Sequence, residues 1–449
     1  MIKPLLSSSW FSRLSHFNKL IVGFSGGLDS TVLLHVLASQ PTLFSKLVAV
    51  HVNHGISANA SSWQKNCEQF CQNSGIPFIA YSVQFDRSAN IEERGRIARY
   101  EVFSSLITEK DCLILGHHLN DQAETVLLQL FRGSGVDGLA AMSDFSQLGR
   151  GVLTRPFLNH SREHLEHYAN LHQLSWIEDE SNLNTNYSRN FLRMQIIPLL
   201  KSKWPGVEGN IARAAIHCQQ AKKNLDTLAV IDFSMEEKKT GLLAPVDFQK
   251  TLAIDAVSKL SFERIVNVLR FWLKNNQIQM PSTATFSRLI HEVIYANHDA
   301  APEVCWGDIL VRRYQRHLFL DKKNKADLPS CVEWSGFPLT LILGISEINL
   351  TARKAKQGLV IPPKAKIFVK FRTGGEEFFW HGQTKRLKKL FQDWGIPPWL
   401  RERIPLVYFD DKLAAVVGYA MSDLFFDKES ADAWVFNQSN CSRNGVNLR

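Results

Sequence analysis

The sequence predicts an α/β fold: a doubly wound parallel sheet, followed by a helical domain and a small mixed α/β C-terminal domain. Three observations predict it. Short β-rich runs alternate with amphipathic stretches through the first 150 residues, the pattern of a parallel sheet covered on both faces. Beyond about Asn159, apolar residues recur mainly at three- and four-residue spacing. After a connector rich in Lys and Asp at Asp321 to Pro329, both patterns mix in a last region that ends near Phe426.

In chain order, the candidate strands are Leu20 to Phe24, Leu47 to Val52, Pro77 to Val83 and Cys112 to Gly116. Between them lie helices near Ser30 to Ala38, Ala60 to Asn73 and Ile91 to Thr108. Ser161 to Leu174, Asn190 to Lys203 and Gly209 to Ala229 carry helical periodicity, and Leu260 to His298 reads as two further helices. A hinge-like stretch spans Ser234 to Gly241, and the tail NQSNCSRNGVNLR is polar and frayed. A chain of 449 residues exceeds one hydrophobic core, and these features divide it into domains at 1–215, 216–330 and 331–449.

Composition narrows the class. With 45% hydrophobic and 21% charged residues the chain has the material for folded cores. Its longest apolar stretches, such as Ile196 to Leu200, fall far short of the roughly 20 residues a bilayer span takes. The N-terminus lacks the apolar region and cleavage site of a secretory signal, so a cytoplasmic protein with no membrane partner is expected. The seven cysteines, at 67, 71, 112, 218, 305, 331 and 441, are odd in number and scattered, which suits a reducing compartment. Cys67 and Cys71 have no second pair or neighbouring His ligand, which argues against a metal site.

The net charge of +9 favours a polyanionic partner. Thr351 to Arg403 holds thirteen Lys and Arg against four Asp and Glu, so this segment alone equals the excess of the whole chain. Lys385, Arg386, Lys388 and Lys389 precede Phe391, Trp394, Pro397, Pro398 and Trp399, with Arg401 and Arg403 close behind. Such a mixture can neutralise phosphates and contact bases; a solvated basic face is the alternative, and RNA binding is favoured.

In a doubly wound sheet ligands sit at the carboxyl ends of the strands. The first such position holds Ser25, Gly26, Gly27, Leu28, Asp29 and Ser30 between a strand and a helix. Two glycines let the backbone approach phosphate oxygens, the helix start attracts negative charge, and both serines add hydroxyl donors. The lysine of a GxxxxGK[ST] loop is missing, so the turn suits a pyrophosphate leaving group and attack at the α phosphate. Asp29 is placed to hold Mg2+ bridging the phosphates.

Other motifs have their own physical reading. Asp121 and Glu124 stand three apart on one predicted helix face, where they could bind an ammonium or a magnesium ion, or serve as an ordinary helix start. His117 and His118 follow a strand and either contact phosphate or ribose or pack at the sheet edge. Arg96 with Arg99, and Arg189 with Arg193, share helix faces in the same way, with exposed salt bridges as the plain alternative.

SGGLDS is the signature of the PP-loop ATP pyrophosphatase superfamily, and nearly the whole chain resembles one family within it, the tRNA(Ile)-lysidine synthetases. The resemblance rests on HVNHGIS at His51 to Ser57, NIEERGRIARY at Asn90 to Tyr100 and the run from Gly116 to Met142. RPFL at Arg155 to Leu158, WIEDESNLNTNYSRNFLR from Trp176 and KRLKKLFQDWGIPPWLRERIPLV extend it. It implies a ligase that binds ATP through residues 25 to 30 with His51, Gly116 and His117. It also implies that Asp121 and Glu124 recognise free L-lysine, and that Arg189 or Arg193 meets the lysine carboxylate or RNA phosphate. Asp29, Asp121 and Glu124 are then the catalytic set. The implied partner is isoleucine tRNA with a CAU anticodon: the first anticodon cytidine is adenylated at O2, lysine displaces AMP at C2, and decoding changes to AUA with identity shifting from Met to Ile. Related enzymes make a homodimer plausible. Two departures stand out, Asn53 and Asn120, where the family often carries other residues; neither is an essential carboxylate. A thiolase of the same superfamily would carry cysteines in CxxC spacing, and an amidotransferase synthetase a glutaminase-like cysteine before the loop; this sequence has neither.

Overall fold

A computed structural model describes residues 4–55, 57, 59–86, 91–180, 184–234, 251–297, 300, 302–323, 328–343, 348–430 and 432–440. The chain divides into two compact units, the first ending at Asn224 and the second beginning at Leu225.

The first unit runs α1 (Ser8–Ser15), β1 (Lys19–Gly23), α2 (Leu28–Ala38), α3 (Pro41–Phe44), β2 (Leu47–Asn53), α4 (Ala60–Asn73), β3 (Phe78–Ser82) and α5 (Ile91–Leu106). It continues with β4 (Asp111–Ile114), α6 (Leu119–Phe131), α7 (Val136–Leu139), β5 (Phe145–Leu148), β6 (Gly151–Thr154) and α8 (Arg162–Leu171). Then come α9 (Ser188–Phe191), a π-helical turn at Leu192–Ile196, α10 (Ile197–Lys203) and the start of α11 (Val207–Ser234).

Six strands form one sheet in the order β3-β2-β1-β4-β6-β5, parallel except for β5. The central strand explains why its sequence is continuously apolar: Leu20 and Val22 enter the core shared with α2, α4 and α8, while Ile21 enters the core beneath α5. α2 is buried almost all round, from Leu28 to Leu37, so it shows no stripe. The direction of winding reverses between β1 and β4, which opens a crevice at their carboxyl ends. The four strands and three helices expected before residue 117 lie within two residues of their expected bounds.

The β5–β6 hairpin carries no period long enough to read. It turns through Gly149 and Arg150, with φ of +53° at Gly149. Gly151 then runs so close to its neighbours that a Cβ there would lie 2.6 Å from the Thr108 carbonyl oxygen and 2.8 Å from that of Asp111.

In the second unit β7 (Thr251–Ala253), α12 (Ile254–Val257), α13 (Phe262–Asn275) and α14 (Thr283–Arg288), the last continued by a π turn to Ile294, precede β8 (Glu303–Trp306), β9 (Ile309–Tyr314) and β10 (His317–Lys322). α13 buries Ile265, Val268, Leu269, Trp272 and Leu273, the stripe that marks it in sequence. The helical reading of this stretch omits an antiparallel sheet in the order β7-β10-β9-β8. The reason lies in its turn: Tyr314 pairs with His317 across Gln315 and Arg316, whose φ values of +43° and +64° are those usually marked by Asn-Gly.

The rest is β-rich. Strands 331–333, 367–370, 406–409, 412–416 and 420–421 form one sheet, and 341–343, 348–355, 358–359, 426–427 and 433–440 another. A hairpin at 377–386 leads into helix Leu387–Asp393. Two expectations are corrected here: the folded region does not end near Phe426, and Asn437 to Asn440 do not fray. They complete a strand that pairs with Ile348–Ala355 over eight residues, because main-chain bonds to a distant partner replace what their polar side chains lack. Residues 235–241 of the expected hinge, 324–327 of the connector and 441–449 of the tail lie outside the described residues. No described helix is long and apolar enough to cross a membrane.

Because main chain crowds Gly151, Gly151→Ala is expected to cost about 1–3 kcal/mol through overpacking, measured as a lower urea midpoint. An unchanged midpoint would show that the hairpin can shift to admit a methyl group.

Candidate functional site

The turn after β1 is shaped by its glycines. Gly26 has φ of +81°, and a Cβ there would lie 2.7 Å from both Cys67 Sγ and Ile177 Cδ1. Its carbonyl accepts the Ile177 amide at 2.9 Å and Thr31 Oγ1 at 3.3 Å. Ser30 Oγ donates to the Gly27 carbonyl at 3.0 Å, receives the Ser25 amide at 3.2 Å and lies 3.1 Å from Ser25 Oγ. The Gly27 amide donates to Ser25 Oγ at 3.3 Å, and no side chain caps the first amides of α2, which leaves that helix start open to an anion. The turn is therefore folded in advance by its own two serines, with the start of α2 left uncapped.

Two neighbouring strand ends close the base. A Cβ on Gly116 would come 2.9 Å from the Asp29 carbonyl oxygen and 3.3 Å from the Ser30 amide nitrogen, so only glycine permits this approach. His51 is buried and donates Nδ1–H to the Phe24 carbonyl at 2.9 Å; burial pushes its pKa down, leaving a neutral ring. Beneath the turn, burial pushes the Cys67 and Cys71 thiols up to about 12, which makes them protonated packing groups.

Asp29 lies on the first turn of α2. Burial raises its pKa against the opposing pull of His118, and Asp121 raises it further. Its Oδ2 is 3.6 Å from both His118 Nε2 and Arg162 Nη1, while its Oδ1 is buried with no hydrogen-bond partner. Among the described residues no three His, Cys, Asp or Glu side chains could hold a metal by themselves. The vacant Oδ1 does fit a magnesium ion shared with phosphate oxygens.

His118 is the N-cap of α6: its Nδ1 accepts the Asp121 amide at 3.4 Å while Asp121 Oδ2 accepts the His118 amide at 3.0 Å. Its other nitrogen therefore carries the proton and faces both Asp29 and Asp121. Burial alone would raise the Asp121 pKa, but His118, His117 and Arg189 hold it down at about 2. His117 is neutral, its pKa driven to about 3 by burial and by Arg155, Arg99 and Arg189, and its Nδ1 accepts from Arg155 Nε at 3.3 Å.

Glu124 has a fully buried side chain and takes Arg189 of α9 and Arg193 of the π turn that follows. Arg189 Nε reaches Oε2 at 2.8 Å; Arg193 donates to Oε1 at 2.6 Å and to Oε2 at 3.0 Å. Arg193 also reaches Asp121 Oδ1 at 3.2 Å, and Arg189 the Asp121 carbonyl at 3.3 Å. The four expected residues thus meet in one network. Asn120 explains its own departure from the family: Oδ1 accepts the Arg162 amide at 2.9 Å while Nδ2 donates to Glu208 Oε1 at 2.5 Å, and a carboxylate could not donate. Arg162 and Glu208 lie outside the sequence motifs, and Arg155 and Ile177 lie within them without an assigned role; all four reach the site through the fold.

The C-terminal basic segment divides. Arg386, Lys388 and Lys389 are exposed, and Lys385 lies 5.4 Å over the Trp380 ring. Phe391 and Trp394 are buried in a core with Phe378 and Leu390, so they are withdrawn as base contacts. Arg401 is withdrawn as well: it is buried, with Nε donating to the Ile396 carbonyl at 2.7 Å and Nη2 to Tyr314 Oη at 3.1 Å. Trp399 packs edge-on against Tyr314 and Phe319 beneath Arg312, and Arg403 is half-buried.

Two outcomes follow from this geometry. A histidine held neutral when folded binds a proton on unfolding, so stability is expected to decline as pH drops below about 6.5 and to go on declining toward the folded pKa values near 3 for His117 and 4 for His54. Urea midpoints at pH 7.5 and 5 measure this, and His117→Gln should flatten the slope. Arg401→Ala should cost about 1–3 kcal/mol by orphaning the Ile396 carbonyl. Loss of RNA affinity at unchanged stability would restore Arg401 to the RNA surface.

Comparison with known proteins identifies the family. Residues 4–200 match the PP-loop domain family, 252–319 the TilS substrate binding domain and 367–438 the TilS substrate C-terminal domain. The chain is 60% identical over 434 residues to tRNA(Ile)-lysidine synthase of Legionella pneumophila (strain Lens), across 97% of this chain and 99% of that protein. It is 39% identical to the protein of that name from Serratia proteamaculans (strain 568), across 96% and 97% of the two chains. For the protein of that name from Coxiella burnetii (strain RSA 493 / Nine Mile phase I) the identity is 37%, across 95% and 94%. The chain therefore belongs to the tRNA(Ile)-lysidine synthase family, ATP-using enzymes that form lysidine in tRNA.

Proposed function

We propose that the enzyme adenylates O2 of the first anticodon cytidine of CAU-anticodon isoleucine tRNA and then replaces AMP with free L-lysine. The observation that carries the reading is Asp29, whose vacant Oδ1 stands on the first turn of a helix with open amides, beside Asp121. The amides and hydroxyls of Ser25 to Ser30 hold the pyrophosphate end of ATP, with Gly116, His51 and His117 at the floor. Cytidine O2 forms a bond to the α phosphorus, and the bond to the bridging oxygen breaks with its electron pair leaving on pyrophosphate. Asp29 would hold Mg2+, which when bound would supply charge neutralisation there.

The second step forms a bond between the lysine ε-nitrogen and C2, breaks the C2–oxygen bond to AMP and releases a proton from nitrogen. An ammonium of ordinary pKa near 10.4 must be deprotonated first. Asp29 is placed to accept that proton through Oδ2, the oxygen turned away from the metal position. Asp121 keeps its charge to low pH and is suited to orient the ammonium. Glu124 is already paired with two guanidinium groups, so it assists by holding Arg189 and Arg193 toward the lysine carboxylate or an RNA phosphate. Lys385, Arg386, Lys388 and Lys389, with Arg403, supply the phosphate contacts for the tRNA. The product reads AUA, and the tRNA changes identity from Met to Ile.

Labelled lysine should enter CAU-anticodon tRNA only with ATP, and substitution of the first anticodon cytidine should abolish it. Asp29→Asn should reduce incorporation about a hundredfold or more, given the usual contribution of acid–base groups. Full activity in that variant would remove Asp29 from the mechanism, and incorporation independent of the cytidine would defeat the reading.

A further inference from the structure

Arg162 opens α8, and neither the motifs nor the mechanism above uses it. Its main chain is clamped: the amide donates to Asn120 Oδ1 at 2.9 Å, and Asn120 is itself fixed by Glu208. α8 packs along α2 through buried Leu165 and Ala169, which brings its first residue level with the first turn of α2. The guanidinium, by contrast, is loose. Nη1 stands 3.6 Å from Asp29 Oδ2, beyond hydrogen-bond length, and the side chain is 43% exposed.

A cation held beside the phosphate turn by an anchored backbone, yet making no close bond, answers a deficiency of that turn. The triphosphate brings several negative charges, and the sequence between β1 and α2 contains no lysine to meet them. We propose that Arg162 supplies that charge: its guanidinium leaves Asp29 for the β and γ phosphate oxygens of ATP and stabilises pyrophosphate as the bond to the α phosphorus breaks. This rests on the adenylation reading given above. The planar donor fork suits two phosphate oxygens at once, and the growing charge on the leaving group is where a fixed cation lowers the barrier. No proton moves to or from Arg162 in this step. Its departure also leaves Asp29 Oδ2 facing His118 alone, so nucleotide binding and the surroundings of the carboxylate are linked.

The test is calorimetric titration of the full chain with ATP, pyrophosphate and AMP. Arg162→Ala should weaken ATP and pyrophosphate binding by about ten- to a hundredfold, the usual weight of a charged hydrogen bond, and leave AMP binding unchanged. Arg162→Lys should recover part of the loss, since a point charge remains. Unchanged affinity for pyrophosphate in Arg162→Ala would overturn the proposal. So would an equal loss for AMP, which is the signature of a residue that only holds Asp29 in place. Failure of the unsubstituted protein to bind pyrophosphate, or to release it from ATP with tRNA, would instead defeat the adenylation reading itself.

Discussion

Glu124 brings a full negative charge into the interior, and the site is arranged around neutralising it. An unpaired buried carboxylate costs several kcal/mol, and removal of one partner from a buried pair costs roughly 3–5 kcal/mol. Here two guanidinium groups share the carboxylate, which fixes Arg189 and Arg193 in position. Arg193 in turn holds Asp121, Asp121 closes the capping box with His118, and His118 faces Asp29 across 3.6 Å. Carboxylates alternate with N–H donors along this chain of contacts from the core to the phosphate turn. The π turn at Leu192–Ile196 carries Arg193, a place where local irregularity is stabilised by the contact it permits.

The phosphate turn works by a different economy. Its backbone is set by Ser25, Ser30 and the Ile177 amide docked on Gly26, so the main chain is ordered before an anion arrives. The glycines are required by crowding as well as by torsion: Gly26 lies against Cys67 and Ile177, and Gly116 against the carbonyl of Asp29. Two sequence-distant segments are thereby built into one wall of the turn. What the turn omits is a fixed cation, and the surroundings provide cations on other elements.

Much of the fold was legible because its physics is local. The runs at Leu20, Leu47 and Cys112 are strands since both faces are buried, and α4 and α13 are helices since one face is. The SGGLDS turn was legible because glycine at a strand–helix junction has few other uses. The sheet β7-β10-β9-β8 was not legible, for its Gln315-Arg316 turn adopts left-handed torsions without glycine or asparagine. Phe391, Trp394 and Arg401 were misread for a related cause. A basic and aromatic segment reads the same whether its rings face RNA or a core, and burial is decided by partners such as Tyr314 and Phe378 far away in sequence.

The sequence by itself determined the nucleotide fold, the turn that holds phosphate and the residue types of the site, because torsional freedom, apolar period and side-chain charge belong to each residue and its near neighbours. Only the tertiary structure decided which charges meet. Glu124 lies 65 residues from Arg189, and Asp29 is joined by Arg162 and His118 from separate elements. Electrostatic energy and desolvation depend on distance through space and on burial, and neither is written in the order of residues along the chain.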